Sequence, residues 1–176
     1  MSRSRPNAPS LKGKIHVVSH TDTGRIRDHN EDAAAADIDI GLIALADGMG
    51  GYNAGEVAAE MAIRTVSNLV REGTDKISRG EPDSETGLMR QSIVLRDAVR
   101  RANKIIWQTA QSQPQCQGMG TTLVAALFYD DRVSIAHVGD SRIYRQRAGQ
   151  FEQLTLCLLY TSDAADDNRV VGGWGG

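Results

Sequence analysis

The chain has 176 residues, of which 40% are hydrophobic and 24% charged, and a net charge of −2. That length suits one domain with a core of its own, the composition excludes a disordered polymer, and the lack of a basic excess argues against nucleic acid as the main partner. Two cysteines, Cys116 and Cys157, are too few for a disulfide framework, and no apolar run has the length of a membrane span or a signal core, so a reducing cytoplasm is expected.

Residues 1–14 scatter four basic side chains among Ser, Pro, Asn and Gly and read as a disordered leader. Ile15 to His20 alternates loosely and predicts a first strand, with His16 and His20 as edge or surface residues. From Thr21 to Asp32 the charge is dense. If that piece is extended, Arg27 and Glu31 share one face while Asn30 and Asp32 share the other. An arginine fork suits a phosphate and carboxylates suit a cation, although for the segment alone a solvated loop with a surface ion pair is the better explanation.

Ala33 to Gly41 reads as a turn between strands. Leu42 to Ala46 is an apolar run that leads into Asp47-Gly48-Met49-Gly50-Gly51. A strand that stops at a carboxylate, turns on glycine and feeds a helix sets that carboxylate at the sheet edge. Gly48 can present its carbonyl there because no Cβ obstructs the backbone. Carboxylate plus carbonyl is a hard-oxygen site for Mg²⁺ or Mn²⁺, while the plainer alternative makes Asp47 an N-cap and the glycines a bend.

Apolar residues from Val57 to Val70 recur at three and four residues and predict an amphipathic helix of about five turns. Residues 72–83 are rich in Gly, Ser and Pro and predict a loop. A second helix is expected to start near Ser84-Glu85, carry an apolar stripe from Leu88 to Ala110, and stop at Pro114, with Trp107 in the core or on its flank. Leu123 to Tyr129 predicts a strand covered on both faces. Asp130-Asp131 is a hairpin turn, and Val133 to Gly139 runs back to end on Asp140. Ile143 to Arg147 and Phe151 to Leu154 predict a further hairpin. Strands and helices are segregated along the chain, so the class is α+β with antiparallel sheets and helices stacked outside.

Four blocks stand in order: Arg27-Asp28-His29-Asn30-Glu31-Asp32, then Ala46-Asp47-Gly48-Met49-Gly50-Gly51 with Ala54-Gly55-Glu56, then Gly118-Met119-Gly120-Thr121-Thr122, then Val138-Gly139-Asp140-Ser141-Arg142. Together they resemble the metal-dependent protein Ser/Thr phosphatase family (PPM, or type 2C) in its bacterial form, over roughly residues 15–155. The resemblance implies an α-β-β-α sandwich of two antiparallel sheets between helix pairs, with two Mg²⁺ or Mn²⁺ ions at one end. It further implies hydrolysis of phosphorylated serine and threonine in proteins, by a hydroxide held between the two ions, in opposition to a Ser/Thr kinase. Carried over by position, Asp47 would bridge both ions and the Gly48 carbonyl would be a further ligand. Glu31 and Asp32 would hold metal-bound waters, Arg27 would bind the substrate phosphate, and Asp140 would help hold a weaker third ion.

The chain departs from the family pattern at three places. Tyr52 stands where many bacterial members have His. Met49 stands where eukaryotic members place a proposed general acid, which leaves that role without a residue here. After Leu154-Thr155 the pattern is lost altogether. Residues 156–176 lack the two later aspartate motifs and read as a non-family tail, a sequencing or frame artefact. Asp167-Asn168 lacks the strand pattern that would make it the missing motif. With only Asp47, Gly48 and Asp140 as ligands, weak metal binding, little turnover and exposed apolar surface are expected of this chain. The second reading, from a different class, is a non-catalytic phosphoprotein-binding or regulatory module derived from such an enzyme.

Overall fold

The computed structural model describes residues 11, 13–51, 54–77, 82–155 and 170–171. The expectations for most of the leader, for Tyr52, and for nearly all of residues 156–176, including Asp167-Asn168, lie outside those residues. An antiparallel sheet carries the site. Its strands are β1 (Asp32–Asp37), β2 (Leu42–Met49), β3 (Gly120–Thr121), β4 (Leu123–Tyr129), β5 (Arg132–Val138) and β8 (Val170–Val171), in the order β1-β2-β4-β5-β8 with β3 extending along β2. A separate hairpin joins β6 (Tyr144–Arg147) to β7 (Gln150–Gln153), and Tyr144 stacks on Phe151 with ring centroids 5.0 Å apart. Two antiparallel sheets with helices are what the sequence leads one to expect.

Helices α1 (Ala54–Thr74) and α2 (Arg90–Ser112) pack against each other and on the sheet. Their apolar stripes meet Leu42, Ala44 and Ala46 of β2 and Leu123, Ala125 and Leu127 of β4, all within one buried cluster. Every second strand residue therefore faces the helices, which is the period of two that a strand imposes. Beneath α2 a polar contact is fully sequestered: Ser92 and Ser134 hydroxyls lie 2.6 Å apart, with Tyr129 Oη 2.9 Å from Ser134 Oγ. Buried hydroxyls survive there because each has a partner.

Four local expectations are corrected. Residues 15–20 form no strand; Val18 is exposed, and loose alternation without a neighbouring strand to pair with does not make a ladder. The alanines 33–36 are not a turn but the middle of β1. Alanine is a weak strand former, and its small side chain here lets α1 approach: Ala33 and Ala35 pack against the core. The Arg71 guanidinium at the end of α1 pairs with Asp37 at the end of the same strand. The central strand does not stop at Asp47 but continues through Met49. Finally, α2 starts at Arg90, not Ser84, because residues 83–87 form a compact turn. Asp83 accepts the Thr86 N–H at 2.9 Å and the Thr86 hydroxyl at 3.0 Å, and these bonds hold its carboxyl below the usual value. Trp107 is exposed on α2, on the flank rather than in the core.

Candidate metal and phosphate site

Strand pairing places Asp32 of β1 directly opposite Asp47 of β2. Like charges facing each other across a ladder destabilise it, so this pair works against the fold unless something positive shares it. Burial, then the negative charges of Asp32 and Asp140, then a hydrogen bond with Asp32, hold the Asp47 carboxyl above its ordinary value of 3.8, with Arg27 pulling the other way. A proton shared between the two carboxyls relieves the repulsion in part, and a divalent cation does so more fully.

The backbone around Asp47 is pinned from β3 and β4. The Thr122 N–H donates to the Asp47 carbonyl at 2.9 Å, the Thr121 hydroxyl donates to the same oxygen at 3.0 Å, and the Asp47 N–H donates to Thr122 Oγ1 at 3.1 Å. Thr122 Oγ1 lies 2.6 Å from Ser141 Oγ, which ties the segment after β5 to the same end of the sheet. Gly48 is required by space. A Cβ there would meet the Gly55 carbonyl oxygen at 2.1 Å and the Glu31 carbonyl oxygen at 2.7 Å, while the Gly48 N–H donates to that Glu31 oxygen at 3.2 Å. The start of α1 thus rests directly on the strand that carries Asp47.

An open cleft of about 130 Å³ lies over this pair, lined by Asp22, Thr23, Arg27, His29, Asn30, Glu31, Asp32, Asp47 and Gly48. It gathers five of the six residues singled out from sequence: Arg27, Glu31, Asp32, Asp47 and Gly48. The sixth, Asp140, does not line the cleft, though its charge is felt at Asp47. Arg27 and Glu31 pair at 3.4 Å, but across turns and bends and not along an extended piece, so the expected split of faces does not hold and Asn30 and Asp32 line the same cleft. His29 and Asn30 were visible in the motif without a role. Asn30 accepts the Asp32 N–H at 2.9 Å and donates to the Thr21 hydroxyl, which makes it the brace of the Asp32 backbone. Thr121 and Thr122 belong to a sequence block that implies no role for them, and only their contacts with β2 give them one. Among the described residues no three Asp, Glu, His or Cys side chains close around a ready-made cation position. Apart from His29, which faces Glu31, the donors around Asp47 are hard oxygens in a mutually repelling set, which fits Mg²⁺ or Mn²⁺ better than a soft metal.

Comparison with known proteins points in the same direction. The family model for protein phosphatase 2C matches residues 18–157. The serine/threonine phosphatase stp of Listeria welshimeri is 40% identical over 144 residues, covering 80% of this chain and 54% of that protein. PstP of Mycobacterium tuberculosis is 35% identical over 158 residues, covering 89% of this chain and 27% of that protein. A crystal structure of the M. tuberculosis phosphatase superposes with a TM-score of 0.65 at 38% identity, over 78% of this chain and 52% of that one. Another, of the PstP catalytic domain in complex with two manganese ions, gives 0.63 at 38% identity, over 77% and 53%. The chain therefore spans about half the length of the Listeria relative and of these crystal structures.

Proposed function

Because this chain belongs to the protein phosphatase 2C family, we propose that its cleft receives phosphorylated serine or threonine of proteins and is part of a centre that hydrolyses the phosphomonoester. The observation that carries this reading is the facing Asp32–Asp47 pair with Arg27 on the same cleft. An acidic pair that demands a cation, beside a guanidinium suited to a phosphate, is what phosphoryl transfer to water needs.

In this reading Asp47 and the Gly48 carbonyl would hold two Mg²⁺ or Mn²⁺ ions, and Asp140 would help hold a weaker third. Bound there, the ions supply Lewis acidity toward water and the phosphate oxygens. The chain's own residues do the rest. Arg27 meets the phosphoryl oxygens and offsets their charge. Asp32, braced by Asn30, and Glu31 orient water at the cleft floor. Thr121 and Thr122 keep the Asp47 backbone from shifting as charge moves. Residues 15–155 form the N-terminal part of the phosphatase domain; the family match ending at residue 157 supports setting 156–176 apart by family pattern, although Val170–Val171 pair with β5 at the edge of the same sheet. Cytoplasmic phosphoproteins, phosphorylated by an opposing Ser/Thr kinase, are the partners, with no role for nucleic acid or membrane. No helix among the described residues is long and apolar enough to cross a bilayer.

The test is phosphate release from p-nitrophenyl phosphate and from a phosphothreonine peptide, with and without Mn²⁺. Slow, Mn²⁺-dependent turnover that Asp47→Asn reduces at least about 100-fold is expected, given that the residue anchors the ions. Turnover indifferent to chelator and to Asp47→Asn would overturn the assignment. Phosphopeptide binding with no turnover under any metal condition would support the non-catalytic module instead.

A further inference from the structure

Glu31 is the one carboxylate of the cleft whose side chain is nearly enclosed, at 9% exposure. A carboxylate taken out of water needs partners, and the structure shows where it finds them. Its Oε2 faces the Arg27 guanidinium at 3.4 Å, and its Oε1 faces His29 Nε2 at 3.9 Å. The same Oε1 lies 2.7 Å, and the Met49 backbone nitrogen 2.9 Å, from where a Cβ on Gly55 would stand, so a side chain at that position of the first turn of α1 would displace the carboxylate from its seat or press on β2. Helix N-termini favour negative charge, which gives the carboxylate a reason to settle there. Its own carbonyl meanwhile accepts the Gly48 N–H. Both ends of Glu31 are therefore fixed to the β2–α1 junction. Arg27, at 74% exposure, has no such anchorage of its own.

We infer that Glu31 is a positioning residue: seated against Gly55 at the start of α1, it holds the Arg27 guanidinium at the orientation in which it meets a substrate phosphate. An ion pair with one partner this exposed adds little to stability, so its effect falls on orientation. This inference rests on the reading of Arg27 as the phosphate-binding group. It differs from a simple water-holding role because it makes Gly55 part of the phosphate site, although Gly55 never touches substrate.

The sign of the mutational effect separates the possibilities. A carboxylate that merely stood near the cleft would repel phosphate, and removing its charge would tighten binding. A positioning carboxylate predicts the reverse. The measurement is calorimetric titration of the 176-residue chain with a phosphothreonine peptide in Mg²⁺, alongside the Arg27 Nε–H signal by NMR. Glu31→Gln and Gly55→Ala should each weaken binding about tenfold and broaden or shift the Arg27 signal, because small misplacements of a binding group carry large penalties. Glu31→Asp, too short to reach, should behave likewise, with melting curves confirming that each variant is folded. Unchanged or tighter binding in Glu31→Gln with an unmoved Arg27 signal overturns the inference. If Arg27→Ala leaves binding intact, or the unaltered chain binds no phosphopeptide, the phosphate reading itself fails. The Arg27 signal in Glu31→Gln and Gly55→Ala still decides whether Glu31 orients the arginine.

Discussion

At the scale of single residues, Asp47 is held where its charge works against the metal-free fold. Its carboxyl is held above the ordinary value of 3.8 by burial and by the charges of Asp32 and Asp140. For an acid whose folded pKa is raised, the contribution to stability is fully present below pH 3.8 and is lost as pH rises through the higher folded pKa. At neutral pH the metal-free protein therefore carries a net penalty at this position. Asp47→Asn removes the charge and should raise the melting temperature of the metal-free chain at pH 7, by a small amount because the group is mostly solvated. The same substitution should leave the variant's melting temperature unresponsive to added Mn²⁺, whereas the unaltered chain gains. Thermal melts between pH 4 and 8, with and without Mn²⁺, measure both effects. A variant less stable than the parent at pH 7 without metal would contradict the repulsive reading of the Asp32–Asp47 pair.

At the scale of elements, the junction of β2 and α1 sets the site, and it is also where the sequence was most informative. The run from Ala46 to Gly51 announced a carboxylate at a strand end followed by a helix, and Asp47, Gly48 and α1 are found close to where that pattern put them. Glycine at 48 was expected for a free carbonyl. The structure adds a packing reason, since a Cβ there would lie 2.1 Å from the Gly55 carbonyl oxygen. Neither neighbour is a flexible side-chain end, so the backbones of β2 and α1 must part. Gly48→Ala should cost about 2–3 kcal/mol, the upper part of the range for overpacking, and should loosen Asp47 with it. Chemical denaturation measures the first effect and loss of Mn²⁺-induced stabilisation the second; an unchanged denaturation midpoint would show that the helix is not seated on the strand. What the sequence left unread has a common cause. The alanines of β1 carry no strand signature, because their place is set by α1 lying above and β2 beside them. Residues 15–20 carry a weak signature and find no partner. The opposition of Asp32 to Asp47 depends on the β1–β2 register, a non-local fact that the spacing of motifs cannot convey.

At the scale of the whole molecule, the sheet has two faces in unequal condition. The side toward α1 and α2 is sealed by Leu42, Ala44, Ala46, Leu123, Ala125 and Leu127. On the other side Leu45 stands 40% exposed and Ile43, Ala126 and Phe128 are only half-buried, although Val124, the ladder partner of Leu45, and Ile135 on β5 are buried there. The sequence led one to expect packing on both sides of Leu123–Tyr129, and among the described residues helices cover only one. Apolar area left in water is a driving force for contact with anything that can cover it, at about 25 cal/mol for each Å². The 176-residue chain should therefore bind a hydrophobic dye such as ANS and associate with itself as concentration rises. Leu45→Thr puts a β-branched side chain, which suits a strand, in place of leucine while removing apolar area from that face. It should reduce dye fluorescence and shift sedimentation toward the monomer, with stability changing by less than about 0.5 kcal/mol, as for an ordinary surface substitution. A large loss of stability in that variant would mean that Leu45 is packed in solution and that the open face is closed by another part of the chain. Dye binding that persists unchanged would place the exposed apolar surface elsewhere, with the stacked pair Tyr144 and Phe151 on the β6–β7 hairpin as the next position to alter.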